Sequence, residues 1–222
     1  MAKVDLSVYG IIDPAVTGRE DITERVLAAA AGGMTLLQYR YKDADTATMV
    51  ADGRMLRALH VTCPLLINDR VDVALAVGAD GVHIGQSDMS PTDARRLLGP
   101  DAIIGLTIKT ADDVANAPID LIDYACIGGV FKTTSKNNPD PPVGLNGLRN
   151  LADKLRARGA RFPIGAIAGI TADNAGAVIS AGVDGVAVIS EIFVKPDVTA
   201  ATRVLGAVVS EALKERVEGD LS

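Results

Sequence analysis

Eight apolar runs alternate with helix-like stretches along this chain, and that rhythm limits the folds open to it. The runs occupy residues 6–13, 35–42, 64–69, 81–86, 102–108, 121–130, 162–170 and 185–190. Most are continuous in Val, Ile and Leu, the pattern of parallel strands covered by helices. Stretches of helical period lie between them, for example at 22–31, 46–60 and 145–158, and one at 199–217 closes the chain. Eight β-then-α units in 222 residues is the count of a (β/α)8 TIM barrel. An open doubly wound sheet is the alternative, but the chain shows no obvious topological break. One α/β domain over residues 1–222 is therefore expected, since such barrels often exceed about 200 residues.

Turn chemistry agrees with this reading. Ser90-Pro91 reads as a helix N-cap followed by proline at the first helical position, with Asp93 in the first turn. The segments Ala76-Val77-Gly78-Ala79-Asp80-Gly81-Val82 and Ser180-Ala181-Gly182-Val183-Asp184-Gly185-Val186 echo each other. Each reads as a helix end, a glycine cap and a strand start, which is structural punctuation. Only residues 132–144 break the rhythm. Rich in Pro, Asn, Thr and Lys and long for a βα loop, this segment reads as a mobile flap.

Composition narrows the class. Hydrophobic residues make up 48% of the chain, enough for a large core, yet no apolar run reaches the roughly 18 residues of a membrane span. Residues 1–5 carry no apolar leader, so a cytoplasmic enzyme is expected. Cys63 and Cys126, two thiols beside apolar strands, read as reduced core residues. A net charge of −6 argues against a general nucleic-acid partner. The oligomeric state is left open, a homo-oligomer included.

Barrel active sites lie at the C-terminal ends of strands, and the unusual polar residues gather there. Gln38, Arg40 and Lys42 alternate at strand period and so share a face. Two sheltered cations on one face call for an anion. Asn68 and Asp69 end the third strand, Asp88 follows the fourth and Thr107 ends the fifth. Cations beside carboxylates suit a diphosphate with Mg²⁺, the cations meeting phosphate oxygens and Asp69 and Asp88 holding the metal. Blander readings exist: Asp69 as a helix N-cap, Asp88 as a turn former, His83 as a packed lumen residue, and 133–136 as a solvated loop.

The blocks Gln38-x-Arg40-x-Lys42, Ile67-Asn68-Asp69, Gly81-Val82-His83-Ile84-Gly85-Gln86-Ser87-Asp88 and Gly105-Leu106-Thr107 come one per strand exit. Gly129-Val130-Phe131-Lys132-Thr133-Thr134-Ser135-Lys136, Ala166-Ile167-Ala168-Gly169-Ile170 and Val186-Ala187-Val188-Ile189-Ser190 continue the series. In this order the chain resembles the thiamine-phosphate synthase (thiamine-phosphate pyrophosphorylase) family over about residues 6–215. The resemblance implies a transferase that joins a hydroxymethylpyrimidine diphosphate to a thiazole phosphate, releasing pyrophosphate. It implies that Gln38, Arg40, Lys42, Asn68, Thr107 and Lys136 hold the pyrimidine diphosphate, with Arg40, Lys42 and Lys136 catalytic. It places Mg²⁺ on Asp69 and Asp88, and the thiazole phosphate on Thr133, Ser135, Gly169, Ile189 and Ser190.

Four positions depart from the family pattern. Tyr41 stands where an acid is usual but points away from the site, towards helix packing. Arg70 adds a cation near the metal carboxylates, Ala168 replaces the first glycine of a Gly-Gly pair, and Lys109 replaces a common histidine. A thiazole tautomerase would need an acid-base group near the ring, and Lys109 stands at its histidine position. A non-catalytic binding protein for thiamine precursors would share the same residues. A Schiff-base aldolase using Lys136 is disfavoured because that lysine lies in a polar loop rather than in a desolvated strand.

Overall fold

The computed structural model describes residues 4–133, 141–159 and 162–219. In chain order the elements are β1 (Val8–Ile12), α1 (Pro14–Thr17), α2 (Ile22–Ala31), β2 (Leu36–Tyr39), α3 (Thr46–Arg57), β3 (Leu65–Asn68), α4 (Val71–Val77), β4 (Gly81–Ile84) and α5 (Pro91–Leu98). They continue with β5 (Ile103–Ile108), α6 (Ala111–Asn116), β6 (Tyr124–Ile127), α7 (Gly144–Arg158), β7 (Ile164–Ile167), α8 (Ala172–Ser180), β8 (Gly185–Val188), α9 (Ser190–Phe193) and α10 (Val198–Gly219). All eight strands pair in parallel and in sequence order, and β8 returns to β1 to close the barrel.

Strand alternation divides the apolar residues between two cores. Outward residues such as Val8, Ile12, Leu37, Tyr39, Ile67 and Val82 pack beneath the helices. Inward residues, among them Tyr9, Ile11, Leu36, Leu66, Ile103, Tyr124 and Cys126, fill the lumen. The two large tyrosines need room on facing strands. A Cβ on Gly105 would lie 2.1 Å from the Tyr124 ring, so β5 carries no side chain there. Tyr41 packs against the outer core, as its parity required.

A repeated device fixes register at the N-terminal face. Asp80, just before β4, accepts from the Leu65 N–H of β3 and from Arg57 of α3. Asp123, before β6, accepts from Ile104 N–H and Arg95, and Asp184, before β8, from Ile164 N–H and Arg156. At the equivalent place before β2, the Thr35 hydroxyl accepts from Val8 N–H. Each carboxylate thus ties two strands and a helix together, through backbone and guanidinium donors. The echoed Val-Asp-Gly and Ala-Asp-Gly segments are two instances of this clamp.

Helix starts follow the sequence signals. Ser90 accepts from Asp93 N–H with Pro91 at the first position of α5, and Thr110 and Asp113 form a capping box on α6. Gly78 ends α4 in the left-handed conformation, with φ of 66°. Several expected strands are longer than the observed ones. β2 ends at Tyr39, so Arg40 and Lys42 lie beyond it, although Arg40 N–H still donates to Ile12 O at 3.0 Å. The backbone of 40–42 leaves the ladder to enter a loop, and apolar content does not mark that departure.

Candidate active site

A cavity opens at the C-terminal end of the lumen. Its lining includes Gln38 and Arg40 from the second strand exit, Asn68 and His83 deeper down, and Thr107 and Thr133 on the side of β5 and β6. Gly169, Ile189 and Ser190 form the wall after β7 and β8. Eight residues expected to bind substrate therefore share one cavity. Ser135 and Lys136, with most of the expected flap, lie outside the described residues. At 143–144 the chain is tied to the sixth strand's exit: Val143 and Gly144 donate to Gly129 O and Val130 O at 2.9 and 3.0 Å.

The cations are not waiting unpaired for a ligand, which corrects the sequence reading. Arg40 is ion-paired to Asp13, a carboxylate buried at the end of β1. Lys42 Nζ lies 2.7 Å from Asp69 Oδ2. A buried guanidinium needs a local counter-charge before any ligand arrives, and Asp13 supplies it. Lys42, with a side chain 46% exposed, stands outside the cavity lining.

Asp69 is not a helix N-cap; Arg70 occupies that position before α4. Instead Asp69 has φ of 61°, a left-handed conformation uncommon outside glycine, and its N–H donates to His83 O at 2.8 Å. This turn brings its carboxyl to Lys42 and to Asp88. Burial alone would raise the Asp69 pKa, but hydrogen bonds with Lys42 and Asp88 outweigh it and hold the group below the ordinary carboxylate value. Asp88 moves the other way, raised by burial and then by the adjacent Asp69. It also accepts from Gly85 N–H at 2.7 Å, so the turn-forming role is real and coexists with the carboxylate pair. The Arg70 guanidinium is taken up by Asp72, at 2.8 and 2.6 Å, and by the Thr46 hydroxyl.

The opposite wall is backbone. Gly169 has φ of 65°, and Ala168 before it has φ of 94°, a conformation that glycine would adopt more easily. Asn174 in the first turn of α8 clamps this bend: its Nδ2 donates to Gly169 O at 3.0 Å and its Oδ1 accepts from Thr171 N–H at 2.9 Å.

Beneath the cavity the lumen is polar and connected. Gln38 Nε2 donates to the Tyr9 hydroxyl, whose oxygen lies 2.8 Å from that of Tyr124. His83 Nδ1 lies 2.8 Å from Tyr124 Oη, and its Nε2 lies 2.8 Å from Thr107 Oγ1. His83 is a packed lumen residue, as expected, but one bonded at both ring nitrogens. Sequence reasoning missed Asp13, Tyr9 and Tyr124. Asp13-Pro14 at a strand exit was an available signal for the first; the tyrosines read only as apolar bulk. Cys63 and Cys126 are both buried.

A closed barrel with this cavity at the C-terminal ends of its strands defines a (β/α)8-barrel enzyme. Residues 8–192 match the family model described as thiamine monophosphate synthase. A thiamine-phosphate synthase of Agrobacterium fabrum is 49% identical over 218 residues, covering 97% of this chain and 99% of its own. One from a Roseiflexus species is 43% identical, covering 94% and 87%. A solved thiamine phosphate pyrophosphorylase from Pyrococcus furiosus superposes with a TM-score of 0.80 at 36% identity, covering 96% of this chain and 98% of that one. The chain belongs to the thiamine monophosphate synthase family, transferases that make thiamine phosphate.

Proposed function

We propose that this cavity condenses 4-amino-2-methyl-5-hydroxymethylpyrimidine diphosphate with a thiazole phosphate, giving thiamine phosphate and pyrophosphate. The observation that carries the reading is Arg40, held by Asp13 at the edge of a cavity whose opposite wall is the glycine bend at Gly169. Arg40, Lys42 and, by the family resemblance, Lys136 bind the diphosphate oxygens. As the carbon–oxygen bond breaks, charge grows on those oxygens, and prepositioned cations stabilise it without reorganising. The aminopyrimidine shares the positive charge left behind. The thiazole nitrogen then attacks as a neutral nucleophile with no proton to lose, so bond formation needs no general base. That fits a cavity whose histidine is committed at both nitrogens. Asn68 and Thr107 meet the pyrimidine diphosphate, while Thr133, Ser135 and the backbone of Gly169, Ile189 and Ser190 receive the thiazole phosphate.

Asp69 and Asp88 fit Mg²⁺. Two adjoining carboxylates form an all-oxygen donor set beside the diphosphate cations, and Mg²⁺ characteristically takes one or two carboxylates plus phosphate and water. When bound it would neutralise charge on the leaving diphosphate. No helix of the described residues is long and apolar enough to cross a membrane. Release of pyrophosphate from the two substrates tests the reaction. Activity should vanish in excess chelator and fall in Asp69→Asn and Asp88→Asn; full activity with chelator would reject the metal, and no pyrophosphate with both substrates would reject the function.

A further inference from the structure

We propose that Gln38, Tyr9, Tyr124, His83 and Thr107 form one directional hydrogen-bond chain through the barrel, which holds His83 as its neutral Nε2–H tautomer and turns the Thr107 hydroxyl hydrogen into the cavity. His83, Tyr9 and Tyr124 are then positioning residues, and Thr107 presents a donor to a hydrogen-bond acceptor such as a ring nitrogen. The link to the pyrimidine substrate rests on the function proposed above; the polarity of the chain does not.

The argument is a count of hydrogens. Gln38 presents its amide nitrogen to Tyr9, so the Tyr9 oxygen accepts there. Tyr9 is wholly buried, and its single hydrogen has Tyr124 Oη at 2.8 Å to receive it. If Tyr124 instead donated to Tyr9, the Tyr9 hydrogen would be stranded in the lumen, a costly arrangement. Tyr124 therefore accepts from Tyr9 and sends its own hydrogen to His83 Nδ1. A ring nitrogen that accepts carries no hydrogen, so the imidazole is neutral and its hydrogen sits on Nε2. That hydrogen goes to Thr107 Oγ1 at 2.8 Å. Thr107 lines the cavity, and on this count its remaining hydrogen is left for an acceptor there. Burial keeps both phenols protonated by pushing their pKa values far above the ordinary tyrosine range. The chain links β2, β1, β6, β4 and β5, so one side of the barrel sets a donor on the other.

The test begins with the unliganded wild type. Long-range ¹⁵N–¹H spectra of the ¹⁵N-histidine-labelled protein read each tautomer, and the two histidines are separated by a His60→Gln variant. A neutral Nε2–H His83 is expected; an Nδ1–H or doubly protonated ring at neutral pH overturns the proposal. Tyr124→Phe should move the His83 Nδ1 resonance towards that of an imine nitrogen with no hydrogen-bond donor, and an unmoved resonance would also overturn it. In turnover, Tyr124→Phe and Thr107→Val should each lower kcat/KM about tenfold, near the value of one hydrogen bond. The double variant should fall no further, and Thr107→Ser should recover most of the loss; additive losses would break the chain into independent contacts. Should Tyr124→Phe fail to fold, the wild-type spectrum and the threonine variants still decide. An expected tautomer in a protein that releases no pyrophosphate would support the chain while removing the proposed function.

Discussion

Asp13→Asn isolates the pair that holds Arg40. The substitution keeps the Oδ1 that accepts from Ala15 N–H at 3.1 Å, so the cap on α1 survives. What is lost is the counter-charge. Asp13 is wholly buried, and the Arg40 side chain is 14% exposed, so solvent screens the pair only weakly. Breaking a buried pair by removing one partner costs about 3–5 kcal/mol. Arg40 borders the cavity, where water can reach it, and an expected loss of about 2–3 kcal/mol follows from a single charge-assisted hydrogen bond and partial desolvation. Arg40→Met should cost more, about 3–5 kcal/mol, because it strands the carboxylate in the interior. Urea unfolding of both variants and the double variant measures the coupling, which should reach about 2 kcal/mol. In kinetics Asp13→Asn should lower kcat as well as kcat/KM, since a guanidinium that wanders meets the leaving oxygens late. A midpoint within about 0.5 kcal/mol of wild type, at an unchanged m-value, would refute the idea that Asp13 holds Arg40.

Three further outcomes are expected. Ala168→Gly should stabilise the protein by about 1 kcal/mol, because φ of 94° strains an alanine; a lower melting temperature would show that the Cβ packs usefully. Asp184→Ala should cost about 2–3 kcal/mol in urea by removing the carboxylate that accepts from Arg156, Arg216 and the Ile164 N–H, yet leave kcat/KM intact because the clamp lies at the opposite end of the barrel; altered kinetics would refute that separation. Burial pushes the Cys63 thiol up to about 11, so at pH 8 only about a thousandth is thiolate, and iodoacetamide should label neither cysteine until the chain is unfolded; fast native labelling would contradict the burial.

The sequence by itself determined the architecture. Eight apolar runs separated by helical stretches leave few alternatives to a closed barrel, because period and connection length are local properties that survive without coordinates. It also determined which residues gather at the strand exits: the alternation that sends Leu36 and Gln38 inward continues to Arg40, and Asn68, Thr107 and Ile189 arrive at the same cavity by the same parity. Only the tertiary structure decided who partners whom. Asp13 and Arg40 are 27 residues apart and Tyr9 and Tyr124 are 115 apart, so nothing in local pattern marks them as bonded. Parallel pairing sets β1 beside β2, and closure of the barrel places β1 and β6 across a lumen narrow enough for two phenols to touch. Asp69 shows the same division. Its place at a strand end was legible, but the left-handed backbone that turns its carboxyl from capping a helix to meeting Lys42 and Asp88 is imposed by the chain around it. Side-chain partnership depends on distances between strands remote in sequence, and those distances exist only once the barrel has closed.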